Sequence, residues 1–472
     1  MVSNGTRKQH HAATNNETAF IRQEDAPILP PPITSAGPAG WLYENIFASM
    51  LDYSTLGAAV KSIFMAIFTA FVAYIFVGQV YGLLDFAIFS AVWQDPEEQK
   101  RQVCWTVEQG GKLPNGWHGA CWPYIIAKTK FILYGAYPNE SLWRVNSTYL
   151  LGAILLGWVM IDRLPYRKFV GAVLLTIYPI FATVMLTGGG FGLSQFSVGV
   201  NTILGLALIS FGRAGKMGWI TGPLLDLSKV AGVAGWFFIF FAAALVSVGV
   251  DFDLSKVDTR DWGGLLITLV VATTAIVVSL PLGILLALGR RSNLPVARTL
   301  SIIFIEFWRG VPLITVLFMA SVMIPLFMPE GVNFDSLLRA LIGVTLWQSA
   351  YMAEVIRGGL QAIDKGQYEG ADAVGLSYWQ SMRLIILPQA LTRVLPGIVN
   401  TIISVFKDTS LVSIVGLFDL LGATQSTIAD AAWSTPVQAS TGYLVVALIF
   451  FVFCFGMSRY SMYIERKLDR GH

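Results

Sequence analysis

Ten mostly apolar stretches recur along the chain, near residues 61–82, 146–161, 168–187, 195–212, 231–250, 263–289, 301–327, 338–356, 394–416 and 439–458. Most approach the 20 or so residues a helix needs to cross the hydrocarbon of a bilayer, where no backbone N–H or C=O can go unpaired. The second and fourth are the shortest. Residues 83–93 are also apolar and suit the membrane interface. The pattern therefore predicts an all-α, polytopic membrane protein of about ten transmembrane helices. The first 55 residues are polar, contain Pro30-Pro31-Pro32 and lack the apolar core of a signal peptide, so they read as a disordered arm.

Basic residues give the orientation. With both termini cytoplasmic, 21 of the 32 Lys and Arg fall on inner segments and eight on outer ones, six of these in the single long loop 94–145. Long loops cross largely regardless of charge, so ten spans satisfy the positive-inside rule at every turn. Composition closes other routes: 55% of the 472 residues are hydrophobic and only 13% charged, against about 25% charged in an ordinary soluble domain. Disorder, coiled coil and soluble globule are excluded for the bulk of the chain. A net charge of +3 is too small to point to nucleic acid, and three cysteines are too few for a Cys-rich metal cluster, so no metal site is expected. Cys104 and Cys121, with sixteen residues between them in the outer loop, form either a disulfide or two unpaired thiols; spacing leaves both open. Cys454 lies within the last span and reads as packing.

Most inner loops are short, but 358–393 is not. It reads as two short helices: Gly366 precedes the first, Gly375 separates them and Pro388 restricts the end of the second. Leu376, Trp379, Met382 and Ile386 recur at helical spacing and give an apolar face. Such a hairpin suits a groove on another protein or the lipid headgroups, and periodicity does not choose between them. Ionisable residues inside spans are functional candidates by default: Glu306, Arg309, Arg339, Glu354, Lys407 and Asp408, with Arg357 and Asn400 nearby. Against this, Glu354 and Arg357 lie near a helix end where side chains snorkel, and Lys407-Asp408 equally suits a structural pair. Pro281 and Pro312 read as kinks rather than ligands.

Resemblance resolves the hairpin. Glu369-Gly370-Ala371, then Gly375, then Ile385-Ile386-Leu387-Pro388 resembles the coupling loop of permeases of binding-protein-dependent ABC importers, departing only at Gly370, where the family usually has Ala. Glu306-Phe307-Trp308-Arg309-Gly310-Val311-Pro312-Leu313, Ala353-Glu354-Val355-Ile356-Arg357-Gly358-Gly359 and Phe406-Lys407-Asp408-Thr409-Ser410-Leu411 are similar to the polar amino acid branch. Within it, Gly189-Gly190-Phe191-Gly192-Leu193 and the extra N-terminal spans look like the larger permease of the general L-amino acid system. The resemblance implies four regions: a cytoplasmic arm, 1–56; an N-terminal transmembrane extension of about five helices with the outer loop, 57–259; a five-helix type I permease core carrying the coupling loop 358–393, at 260–465; and a tail, 466–472.

The implied function is the permease subunit of an importer moving L-amino acids inward across a bacterial inner membrane. The implied partners are two copies of an ATP-binding subunit, a second, similar permease in a heterodimer, and a periplasmic amino-acid-binding protein. Gln367, Tyr368, Glu369, Ala371, Gly375 and Trp379 would engage the ATPase; Glu306, Arg309, Glu354, Arg357, Asn400, Lys407 and Asp408 would line the substrate path or gate. No Gly-x-x-x-x-Gly-Lys-[Ser/Thr] loop occurs, since Gly111-Lys112 and Gly215-Lys216 lack its other elements. No cofactor is therefore expected on this chain, with ATP and magnesium on the partner, and no enzymatic activity of its own. The alternatives are an ion-coupled secondary carrier, which predicts an internal repeat that is not seen, and a non-transporting scaffold or sensor.

Overall fold

In the computed structural model, residues 56–94, 102–190, 195–218, 223–328, 335–433 and 435–469 are described. The expected arm, apart from its last residue, and the end of the tail lie outside them, as do part of the outer loop and Phe191, Gly192 and Leu193. The chain divides into two packed units, residues 1–85 and 86–472. The first contains helix α1 (Leu56–Leu84), apolar on every side as a lipid-facing helix is.

In the second unit, α2 (Trp122–Tyr134), α3 (Leu142–Met160), α4 (Arg167–Thr187), α5 (Gln195–Lys216) and α6 (Pro223–Gly249) precede α7 (Leu265–Arg290), α8 (Pro295–Gly310), α9 (Leu313–Phe327) and α10 (Ser336–Gln361). Then come α11 (Lys365–Ala373), α12 (Tyr378–Ser381), α13 (Leu387–Arg393), α14 (Leu395–Asp408), α15 (Leu420–Ile428) and α16 (Gln438–Asp469). Among the described residues there are isolated β-bridges but no strand.

A helix occupies each of the ten expected positions, and seven are long and apolar enough to cross a membrane by themselves. The other three have physical explanations. Helix α3 begins with Arg144 and Asn146, which dilute its apolar character. Helix α10 carries Arg339, Gln348, Glu354 and Arg357 because it runs through the core, with 13 buried residues, and its polar groups meet protein rather than lipid. The stretch 301–327, expected as one span, is a pair of helices meeting at 103°. The break falls at Gly310-Val311-Pro312, where Pro312 has no N–H to continue the ladder.

The core of this unit is built where α7, α9, α10 and α14 converge, from Leu266, Val271, Leu313, Leu317, Leu337, Val344 and Val405. Gly283 lets α7 approach α10 closely; a Cβ there would lie 2.8 Å from Met352 Cγ. Helices α5 and α6 meet through Gly205, Gly212, Gly232 and Gly235, the small-residue contact that lets helices associate in lipid.

Opposite ends of the unit are tied differently. At one, Cys104 and Cys121 are joined by a disulfide, and they pack with Tyr124, Trp433 and Val437. Tyr124 Oη lies 2.6 Å from Thr427 Oγ1, and Lys128 pairs with Asp430 at 2.5 Å, so α2 is fastened to α15 and the turn after it. At the other, Asp162 in the α3–α4 turn meets Lys467 Nζ at 2.8 Å, Tyr463 Oη at 2.6 Å and Arg167 Nη1 at 2.5 Å. The bonds from Lys467 and Tyr463 hold its carboxyl down at about 2. What this cluster adds to stability is therefore complete above the ordinary carboxylate range and fades as pH falls towards 2.

Candidate functional site

The hairpin departs from the C-terminal end of α10. Helix α11 ends in a Schellman motif: Leu376 N–H donates to Ala371 O at 3.1 Å and Gly375 N–H to Asp372 O at 2.9 Å. Gly375 adopts φ +79°, a left-handed conformation that costs an L side chain roughly 1–2 kcal/mol. Gly366, expected before the first helix, lies inside it. Pro388, expected to restrict the end of the second helix, instead sits near the start of α13, after a π-helical turn at Met382–Ile386. The wide turn accommodates the missing proline N–H, so the second arm continues to Arg393.

The expected apolar face is divided. Met382 and Ile386 are buried with Leu288, Met352, Ile356, Leu360 and Ile363 and so anchor the hairpin to α7 and α10. Trp379 is 60% exposed, and Val374 and Tyr378 are exposed beside it. Ala371 is buried at the base, whereas Gln367 and Glu369 face outward. Among the described residues Glu369 enters no ion pair.

Arg291, just past α7, braces the hairpin. It donates to Leu360 O at 2.8 Å and Tyr368 Oη at 2.9 Å, and its guanidinium lies 5.5 Å from the Tyr368 ring centre. Tyr368 Oη also donates to Leu360 O at 3.2 Å. Arg393 donates to Ala362 O, and Gln389 Nε2 to Gln367 Oε1 at 3.0 Å. A cleft of about 220 Å³ lies between the arms and α7, lined by Leu288, Arg291, Tyr368 and Tyr378. Although half of Tyr378 is exposed, the partial burial of its phenol in this cleft pushes it above its usual range, against the pull of Arg291.

Four of the seven path residues come together. Arg290 Nη1 pairs with Glu306 Oε1 at 2.8 Å and Glu354 Oε2 at 3.5 Å; Arg309 Nη1 reaches the same Glu354 oxygen at 3.5 Å. Arg357 Nε donates to Glu354 Oε1 at 2.8 Å. Glu354 thus ties the ends of α7, α8 and α10. Asn400, Lys407 and Asp408 lie apart on α14, where Asp408 accepts from Ser404 Oγ at 3.4 Å and no ion pair joins it to Lys407 among the described residues. Asp408 is about 20 Å along α14 from Leu395. Arg339 is a structural tether, donating to Ser321 O and, at 3.0 Å, to Ser336 Oγ.

Sequence reasoning passed over Arg290 and Arg291, which counted only as inner-loop charge. It also passed over Gln348, buried on α10, whose Nε2 donates to Thr401 O on α14 at 3.0 Å. Spacing carries no signal for any of these, because each contact depends on how helices cross. Gly370 gives a direct test of the hairpin geometry. Nothing lies within 4 Å of where its Cβ would be. Gly370→Ala should therefore stabilise the hairpin by about 0.5–1 kcal/mol, read as slower amide hydrogen exchange across 365–373.

Comparison with known proteins adds four findings. Residues 279–470 match the binding-protein-dependent transport system inner membrane component. The inner membrane amino-acid ABC transporter permease protein YhdY of Escherichia coli is 45% identical over 353 residues, 75% of this chain and 79% of the relative. The glutamate/glutamine/aspartate/asparagine transport system permease protein BztC of Rhodobacter capsulatus is 40% identical over 467 residues, 97% of this chain and 100% of the relative. A crystal structure of an amino acid ABC transporter with histidines aligns over 43% of this chain and 92% of its own at 29% identity, with a TM-score of 0.39, too low to bear on helix arrangement.

Proposed function

The chain belongs to the inner membrane permease components of binding-protein-dependent ABC transport systems, and we propose that it passes L-amino acids into the cytoplasm using ATP hydrolysed on a separate subunit. The observation that carries this reading is the hairpin: a finger buried at its base and apolar at its exposed tip, formed by the residues that carry the family motif. Such a tip is suited to an apolar groove. Closure of the ATP-binding subunits would move the finger. Arg291, Tyr368 and Leu360 would pass that motion to α7 and α10, and the Glu354 network would carry it to α8.

The partners in this reading are two ATP-binding subunits holding ATP and magnesium, a second, similar permease and a periplasmic amino-acid-binding protein. Both termini face the cytoplasm, and the core at 260–465 does the transport while the extension at 57–259 supports it. Gln367, Tyr368, Glu369, Ala371, Gly375 and Trp379 serve coupling. Glu306, Arg309, Glu354 and Arg357 serve as a gate, with Asn400, Lys407 and Asp408 on the amino-acid path. The ion-coupled carrier finds no support in relatives named as ABC permeases. The test is uptake of L-glutamate into vesicles holding the reconstituted assembly. Uptake that needs internal ATP, the ATPase and the binding protein, and survives an ionophore, is expected; uptake by this chain alone that collapses with the ionophore would overturn the reading.

A further inference from the structure

A second site lies at the opposite end of the unit, at the head of α3. Arg144 sits in the first turn and is only 1% exposed. Its Nη2 donates to Ser255 Oγ at 3.3 Å, while its Nη1 has no hydrogen-bond partner among the described residues. No carboxylate stands within ion-pair distance of it among those residues, and the adjacent Glu140 is exposed. Tyr137 offers its ring, 6.0 Å from the guanidinium carbon, but its hydroxyl is committed to Leu186 O at 3.0 Å.

The helix end has the same sign. Ser141, the N-cap residue, does not cap the first turn with its hydroxyl, which lies instead 3.1 Å from Ser255 Oγ. The first turn holds no acidic residue. The positive end of a 19-residue helix dipole, two hydroxyls and a buried, uncompensated guanidinium therefore converge on one place. A charge buried without a counter-charge is strongly unfavourable, and helix N-termini with free N–H donors hold anions.

We propose that Arg144, Ser141 and Ser255 bind a small monovalent anion of halide size. Tyr137, Arg144 and Ser141 are buried while Ser255 is exposed, an arrangement that suits a small ion better than an amino acid. The ion would fasten the segment before α7 to the head of α3, independently of the coupling hairpin.

The test uses the full-length chain in lipid nanodiscs, unfolded thermally in sodium chloride and in sodium gluconate at matched ionic strength. The expected result is a Tm that rises with the logarithm of chloride concentration, stays flat in gluconate, and loses its chloride dependence in Arg144→Met. Equal behaviour in the two salts, or an unaltered chloride response in Arg144→Met, would overturn the proposal. Stabilisation by sodium acetate but not chloride would overturn the halide assignment. Should Arg144→Met fail to insert, the chloride-35 NMR line of the wild-type chain decides. Broadening relieved by bromide supports the site, and an unbroadened line overturns it.

Discussion

Glu369→Lys is expected to abolish capture of an ATP-binding subunit while leaving the permease itself intact. Glu369 is exposed on α11, and among the described residues no ion pair depends on it, so reversing its charge should change the chain's own stability by no more than about 0.5 kcal/mol. At a docked interface the same reversal removes one attraction and adds a repulsion. Losing a buried interfacial charge partner alone costs about 2–5 kcal/mol, enough to take a stable complex out of a pull-down. The measurement is co-purification of tagged permease with the ATPase, alongside its thermal unfolding. Unchanged capture would remove Glu369 from the contact.

Glu354→Ala is expected to act on the fold and the cycle together. One carboxylate there accepts from Arg290, Arg309 and Arg357, which belong to three helices. Arg290 keeps Glu306, but Arg309 and Arg357 lose the one ion-pair partner each has among the described residues. A fully buried pair broken on one side costs about 3–5 kcal/mol. Glu354 retains 20% side-chain exposure, so the expected loss is about 2–3 kcal/mol, with ATP-driven uptake falling further than stability alone explains. Arg290→Met combined with Glu354→Ala should be less than additive, because the two residues share one network. A cost below about 0.5 kcal/mol would put the cluster among ordinary surface pairs.

What was legible in the sequence follows from which forces act locally. Bilayer burial acts on runs of about 20 residues, so the seven helices long and apolar enough to cross a membrane could be read from hydropathy. The Schellman turn at Gly375 is local too, since backbone stereochemistry dictates the glycine. The bend at Gly310–Pro312 read as a kink within one span; a missing N–H shows where a helix weakens, not the angle of 103° that packing then selects. The apolar face of the second hairpin arm was visible as a period. Its division between Met382 and Ile386 inside and Trp379 outside depends on where α7 and α10 stand. Arg339 looked functional because charge in lipid is costly; its bonds to Ser321 and Ser336 show that cost met by neighbouring protein. Arg290 carried no sequence signal at all, because its partners are 16 and 64 residues away.

The most direct test of force transmission through the finger is site-specific photo-cross-linking from position 379 in membranes containing the whole assembly. Replacing Trp379 with a photoreactive phenylalanine should yield a covalent adduct with the ATP-binding subunit, and the yield should change between ATP-bound and nucleotide-free states. Adducts with lipid alone in both states would contradict it.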